Sequence, residues 1–227
     1  MKSSAIKVDE RPASKINLIG GRLCLDFVNS MGARRTGSAG EMVIRDEKLN
    51  DYFDLVAWAQ HAGALTDAEA KALTKEAKQH PSDAARVLRL GLRLREALFA
   101  VLKGIVDGQA PNQRQLAALN EELQVAQGSR QIAATAKGFE WTWTTSRPAL
   151  DKILWLVSDS AAELLTTGDL SRLRQCGGDD CGWIFEDSTR NRSRHWCDMR
   201  DCGNRDRVRR FRSRQRTKGR ASRALHP

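Results

Sequence analysis

Four of the five cysteines fall late in the chain, as Cys176-x4-Cys181-x15-Cys197-x4-Cys202. Two short-spaced pairs across a connecting segment are the arithmetic of a tetrahedral four-thiolate zinc site, in which each pair wraps one edge of the ion through a tight turn. The second cysteine of each pair is followed by glycine, Gly182 and Gly203. A glycine there can adopt positive φ and turn backbone amides toward the thiolates. Four thiolates close the coordination shell, so the expected cofactor is one structural zinc ion, held by Cys176, Cys181, Cys197 and Cys202. His195 is an alternative fourth ligand, and two disulfides or four free thiols are the competing uses of the cysteines. The N-terminus has no apolar secretory segment, which makes a reducing cytoplasm the expected compartment and disfavours disulfides. Cys24, alone in an apolar stretch, reads as a small buried hydrophobe.

Immediately after the last of these cysteines the chain reads Asn204-Arg-Asp-Arg-Val-Arg-Arg-Phe-Arg-Ser-Arg-Gln-Arg216. Val208 and Phe211, three apart, form one narrow apolar stripe, expected to pack this helix on the zinc core. Its other faces are almost all arginine. A solvated helix face normally alternates sign, and this one leaves its repulsion uncompensated unless a polyanion supplies the counter-charge. Arginine also forks bidentately onto phosphate and onto guanine. Arg205, Arg207, Arg209, Arg210, Arg212 and Arg214 are therefore the candidate nucleic-acid contacts; a solubilising basic tail is the plainer alternative. Between the cysteine pairs, Arg190, Arg192 and Arg194 can extend the same surface, or one of them can pair with Asp187. Trp183, Ile184, Phe185 and Trp196 are expected to form the small core of the metal module, with folding coupled to metal binding.

The elements that must carry these groups follow from periodicity. Leu23 to Asn29 permits a strand or a short helix, and the two stay open. Gly32 to Gly40, rich in glycine, arginine, serine and threonine, reads as a loop. Helices are expected over Asp51 to His61 with Gly63 as a stop, from the Thr66-Asp-Ala-Glu69 capping box toward Gln79, from Pro81 to Gly108, and from Pro111 to about Gln127. The third carries Val87, Leu90, Leu94, Leu98, Val101, Leu102 and Ile105 at spacings of three and four. Ile132, Ala134, Phe139, Trp141 and Trp143 alternate about Lys137-Gly138, a β-hairpin. Pro148 to Thr167 returns to helix. The expected fold is mainly α with a small β-hairpin: a helical N-terminal domain and a small C-terminal four-cysteine zinc finger.

Composition agrees with a folded chain seeking an anionic partner. Its 227 residues are 41% hydrophobic and 29% charged, with net charge +10 and mean hydropathy −0.53. No stretch has the roughly 18 unbroken apolar residues of a membrane span, so no membrane is expected as a partner. The charge is concentrated: from Gly203 onward ten basic residues face one acid, Asp206, while Ser171 to Cys202 is neutral. Such clustering points to nucleic acid. The expected boundaries are a flexible leader at 1–15, the helical domain at 16–170, the finger with its arginine helix at 171–217, and a disordered basic tail at 218–227.

With Cys202-Gly-Asn-Arg205 in place, the C-terminal segment resembles the CGNR zinc finger. The likeness extends over Arg174-x-Cys176, Cys181-x3-Phe185-x-Asp187, Arg190-Asn191, Trp196-Cys197-x-Met199 and Cys202-Gly-Asn-Arg-x-x-Val208. Leu23-Cys-Leu-Asp-Phe-Val-Asn29 and Leu94-Arg-Glu-Ala-Leu98 resemble the ABATE domain that usually precedes that finger. The resemblance implies a bacterial, stress-related transcription regulator whose four cysteines bind zinc and whose arginine-rich end binds DNA. Members often carry arginine in place of His195, which argues against this histidine as a ligand, and a basic residue in place of Asp206, which removes one phosphate contact here.

The expected function is thus a zinc-dependent DNA-binding regulator, cytoplasmic and nucleoid-associated, with double-stranded DNA as partner. Its N-terminal domain senses a small molecule or forms a homodimer. An RNA- or ribosome-associated binder using the same residues is the second reading, and an enzyme in the N-terminal domain the third. No catalytic residue is assigned: His61 and His80 are isolated on helices, and no Ser/His/Asp set, phosphate loop or HExxH occurs. Asp26 and Asn29 could line a pocket, with a cap or a buried hydrogen bond as the simpler role. Trp141 and Trp143 could stack a ligand or form one face of a packed hairpin.

Overall fold

The computed structural model describes residues 10–36, 42–110, 112–144 and 148–224. Helix α1 spans Leu23–Val28, which settles the open choice there. Cys24, Leu25, Phe27 and Val28 are all buried, and a helix can bury adjacent residues as one surface where a strand would split them between two faces. Asp26, inside this helix, ties the preceding segment to it by accepting a hydrogen bond from the Gly20 amide at 2.8 Å.

The segment expected as a loop is largely a hairpin. Strands β1, Met31–Thr36, and β2, Met42–Glu47, pair antiparallel from Met31 opposite Glu47 to Thr36 opposite Met42; residues 37–41 of that segment lie outside the described residues. Glycine and alanine in β1 are weak strand formers, and what holds the hairpin is distant in sequence. Arg34 is bound by both carboxylate oxygens of Glu96 and lies over the Phe99 ring at 4.1 Å. Arg95, almost fully buried, donates to Glu47 Oε1 at 2.8 Å and Ser30 Oγ at 3.1 Å.

The helical layer follows its sequence signals. Helix α2, Tyr52–His61, begins with a capping box between Asp51 and Asp54, and Gly63 follows it at φ +70°. Helix α3, Asp67–Gln79, has the expected Thr66/Glu69 box. Helix α4 runs over Pro81–Val106, and α5, Gln113–Gly128, is capped by Asn112; Pro111 lies outside the described residues. The second hairpin pairs β3, Arg130–Thr135, with β4, Gly138–Trp143. Helix α6 starts at Lys152, four residues after Pro148, and ends at Thr167.

Helices α1, α2, α4 and α6 enclose the core, where Phe27 and Trp58 meet with centroids 5.1 Å apart. Gly91 lets α4 approach α6: a Cβ there would sit 3.0 Å from Leu154 Cδ2. Beyond α6, β5 (Leu173–Gln175) pairs with β6 (Ile184–Glu186). A π-helical turn, Met199–Gly203, then leads into α7, Asn204–Ala224. Among the described residues the fold is mainly α with three small antiparallel strand pairs, where one hairpin was expected. No helix among the described residues is long and apolar enough to cross a membrane.

Both ends depart from expectation. Residues 1–9 of the expected leader lie outside the described residues, but Pro12–Lys15 form a 3-10 turn, Ala13 is in the core, and Arg11 bridges Asp51 and Asp54 at 2.8 and 2.7 Å. Helix α7 continues to Ala224, through most of the stretch expected as a tail. No proline interrupts it, and a single glycine such as Gly219 costs a helix only about 1 kcal/mol.

Candidate metal centre and nucleic-acid interface

The four late cysteines converge. Their Sγ atoms all lie within 4.8 Å of one another and all four side chains are buried; Cys181–Cys197 and Cys197–Cys202 are each 3.5 Å apart. Thiolates at about 2.3 Å from a tetrahedral zinc sit roughly 3.8 Å from each other, so the set suits one such ion. None is in a disulfide.

The four thiols perturb one another. Hydrogen bonds from Cys181 and Cys197 pull Cys176 down to about 2. The neighbouring Cys176 in turn pushes Cys181 and Cys197 above the ordinary thiol range, and burial pushes Cys202 up. For all four sulfurs to be thiolates this close together, a metal charge would have to sit among them. The Cys197 amide donates to Cys176 Sγ at 3.3 Å and the Arg205 guanidinium to Cys202 Sγ at 3.2 Å. His195 stands outside the cluster, edge-on to Trp196 at 4.3 Å.

The two glycines act differently. Gly182 has φ +78° as expected, and a side chain there would also strike Arg34 O, 2.4 Å from an ideal Cβ. Gly203 is not at positive φ; it lies in the π turn, where a Cβ would meet Met199 Sδ at 2.6 Å and Trp196 Cδ1 at 3.0 Å. Close packing is what it provides.

The expected private core of the finger is shared. Phe185 and Trp196 pack around the cysteines, but Ile184 and Leu173 belong to the main core, and Trp183 touches both. Asn29 closes the seam: its Oδ1 accepts from the Ile184 amide at 3.0 Å and its Nδ2 donates to Ile184 O at 2.8 Å, both buried. Trp183 Nε1 donates to Met31 O at 2.7 Å, Arg34 N to Cys181 O at 3.0 Å, and Glu186 N to Gly20 O at 2.9 Å. Asn29 thus has the buried hydrogen-bonding role, and the half-buried Asp26 has a hydrogen-bonding one without capping α1. These seam contacts join residues about 150 apart in sequence, and local pattern carries no trace of them.

The arginines divide. Arg194 lies over the Phe185 ring at 4.1 Å and donates to Ile19 O and Trp196 O, so it holds the finger's frame. Arg192 binds Asp169 at 3.1 Å. Asp187 pairs with neither; it is buried and accepts from Thr189 N, Thr189 Oγ1 and Arg194 N. On α7, Arg205 binds Asp201, Arg209 binds Asp179 and Asp206, and Arg210 binds Asp206. Arg207, Arg212 and Arg214 are exposed and have no partner among the described residues.

Every residue from Arg207 to Gln215 is exposed, which overturns the expected apolar anchor. Val208 is 42% exposed and Phe211 63%. The inward position belongs to Asp206, 7% exposed, because the cysteines, Trp196 and Gly203 already fill the finger's interior.

Comparison with known families places this architecture. The CGNR zinc finger matches residues 172–215, and the four cysteines are its metal site. ABATE, described as "Putative stress-induced transcription regulator", matches residues 21–168. The chain belongs to the ABATE family. No curated protein matches it. The ABATE region thus carries α1 to α6 and the first two hairpins. Its Leu94 and Leu98 are core residues, while Arg95 and Glu96 between them hold β2 and β1.

Proposed function

We propose that the chain is a zinc-dependent, double-stranded DNA-binding transcription regulator acting in a stress response at the bacterial nucleoid. In this reading the finger sets the angle of α7, and the ABATE domain senses a small molecule or forms a homodimer. The observation that carries it is the exposed arginine surface beginning one turn from the metal. Arg207, Arg210, Phe211 and Arg214 are spaced by three and four and share one helix face. Arg207 and Arg214 on that face, and Arg212 beside it, have no carboxylate partner among the described residues.

Phosphate contacts supply affinity without sequence information, and base contacts supply the choice of site. Arg205, whose guanidinium meets Cys202 and Asp201, and Arg209, held by Asp179 and Asp206, position the helix in this reading. One helix covers a small part of a specific DNA site, and two copies would supply the rest. No catalytic step is assigned: His61 Nε2 is bound to Ile16 O at 2.8 Å and His80 lies against Glu76.

The test is duplex-DNA binding by the full chain over a salt series, with Arg207→Ala/Arg212→Ala/Arg214→Ala as the comparison. If each arginine neutralises one phosphate, the slope of log K against log salt falls by about 2.7 in the triple variant, and affinity falls by at least tenfold. An unchanged slope, with the variant folded, overturns the assignment. Structured RNA that displaces duplex DNA at lower concentration than DNA itself moves the reading to an RNA-binding protein.

A further inference from the structure

We propose that Phe211 is the side chain with which α7 reads sequence, by contacting the C5-methyl group of thymine in the DNA major groove. This rests on the DNA-binding reading above and names what that helix selects. Phe211 is 63% exposed and Val208, one turn before it, 42%, on a helix whose residues from Arg207 to Gln215 are all exposed. In the free chain the ring is left to water, at the cost of unburied apolar surface.

Charge limits what can cover it. Helix residues follow one another at about 100°, so Arg210 and Arg212 point to either side of Phe211, and Arg207 and Arg214 lie one turn before and after it on its own face. Arg210 also meets Asp206 at 2.8 Å. A second α7 laid on this ring would set arginine against arginine, whereas a polyanion neutralises the whole surround. Two apolar side chains are too few for the apolar face that seats a helix on lipid.

Width selects the groove. An α-helix with its side chains is about 10–12 Å across, which fits the major groove at about 12 Å and not the minor groove at about 6 Å. Phe211 stands roughly 10 Å along the axis from Asn204, where α7 begins, beyond the root where Asp179 and Asp206 hold Arg209. With the helix in the groove, the long arginines on its flanks reach the phosphate walls and the shorter ring faces the base edges. Those edges present hydrogen-bond donors and acceptors, with the thymine methyl as the apolar group. A ring set on a donor or acceptor would strip its water without replacing the bond; the methyl is the group it fits. Val208 continues the apolar strip toward the neighbouring step.

The experiment uses the zinc-loaded full chain and two short duplexes of alternating A·T sequence, one with thymine and one with uracil throughout, which differ only in that methyl group. Fluorescence anisotropy at one low salt concentration gives the dissociation constants. The native chain is expected to bind the thymine duplex about fourfold more tightly, the equivalent of one methyl group removed from water. Phe211→Ala is expected to bind the two equally with an unchanged salt slope, and Phe211→Leu, still apolar, to keep a preference; far-UV spectra and zinc content check that both are folded. Equal binding of the two duplexes by the native chain, or a preference that survives in Phe211→Ala, overturns the proposal. Salt-dependent binding without the methyl preference removes the Phe211 assignment alone and leaves the regulator reading standing. Binding of neither duplex at low salt, where phosphate contacts are strongest, removes both.

Discussion

Asn29 shows what a single side chain does here. Its amide matches both backbone groups of Ile184, a donor and an acceptor taken together from a strand of the finger. Asn29→Ala leaves that N–H and C=O buried and unmatched, at about 1–3 kcal/mol each. We expect a loss of about 2–5 kcal/mol in a denaturant titration, with Asn29→Asp also destabilised because a carboxylate cannot donate to Ile184 O. A loss below about 0.5 kcal/mol would refute the assigned role. The cysteine ligands were legible in the sequence because a metal imposes short local spacing. Asn29 was legible only as an alternative between pocket and hydrogen bond, since its partner lies more than 150 positions away. Val208 and Phe211 misled: apolar spacing marks a helix face but does not say what covers it, and Asp206 took the inward position.

At the scale of elements, the start of α3 gives a pH prediction. Partial burial raises the pKa of Glu69, but hydrogen bonds from Lys152 and Thr66 outweigh this and bring it from 4.5 down to about 2. A carboxylate depressed on folding stabilises the native state above its unfolded pKa, and that contribution is lost as pH falls through the folded value. The stability difference between the native chain and Glu69→Gln should therefore be constant above about pH 5 and shrink toward pH 2. Thermal melts across that range measure it; a difference that grows on acidification would contradict the pairing. Helices α2 to α6 were readable because caps and three-four spacing are local. The β1–β2 hairpin was not, because its stability comes from Arg34 and Arg95 meeting Glu96 and Glu47. The β3–β4 hairpin was read correctly as an element but only partly in its packing. Trp143 lies against Trp155, while Ile132, Phe139 and Trp141 stay exposed.

At the scale of the molecule, metal site and helical domain share packing through Ile184, Leu173 and Trp183. The sequence suggests a finger that folds with its metal and unfolds first when the metal is removed. Because β6 carries Ile184 into the main core, chelation is expected instead to lower the melting temperature of the whole chain in a single transition. Calorimetry with and without a strong chelator decides this: an unchanged main transition with a separate early one would show an independent finger. The composition shift near residue 170 marks a change of chemistry, from helix core to metal site, while the packing continues across it through Ile184, Leu173 and Trp183. Cys24 gives that cooperativity a clock. Burial pushes its thiol up to about 11 and its side chain is fully covered by the core. With the other four sulfurs committed to metal, an alkylating reagent added to the native protein has no ready target. The rate at which five labels are added together would then time how often the whole molecule opens.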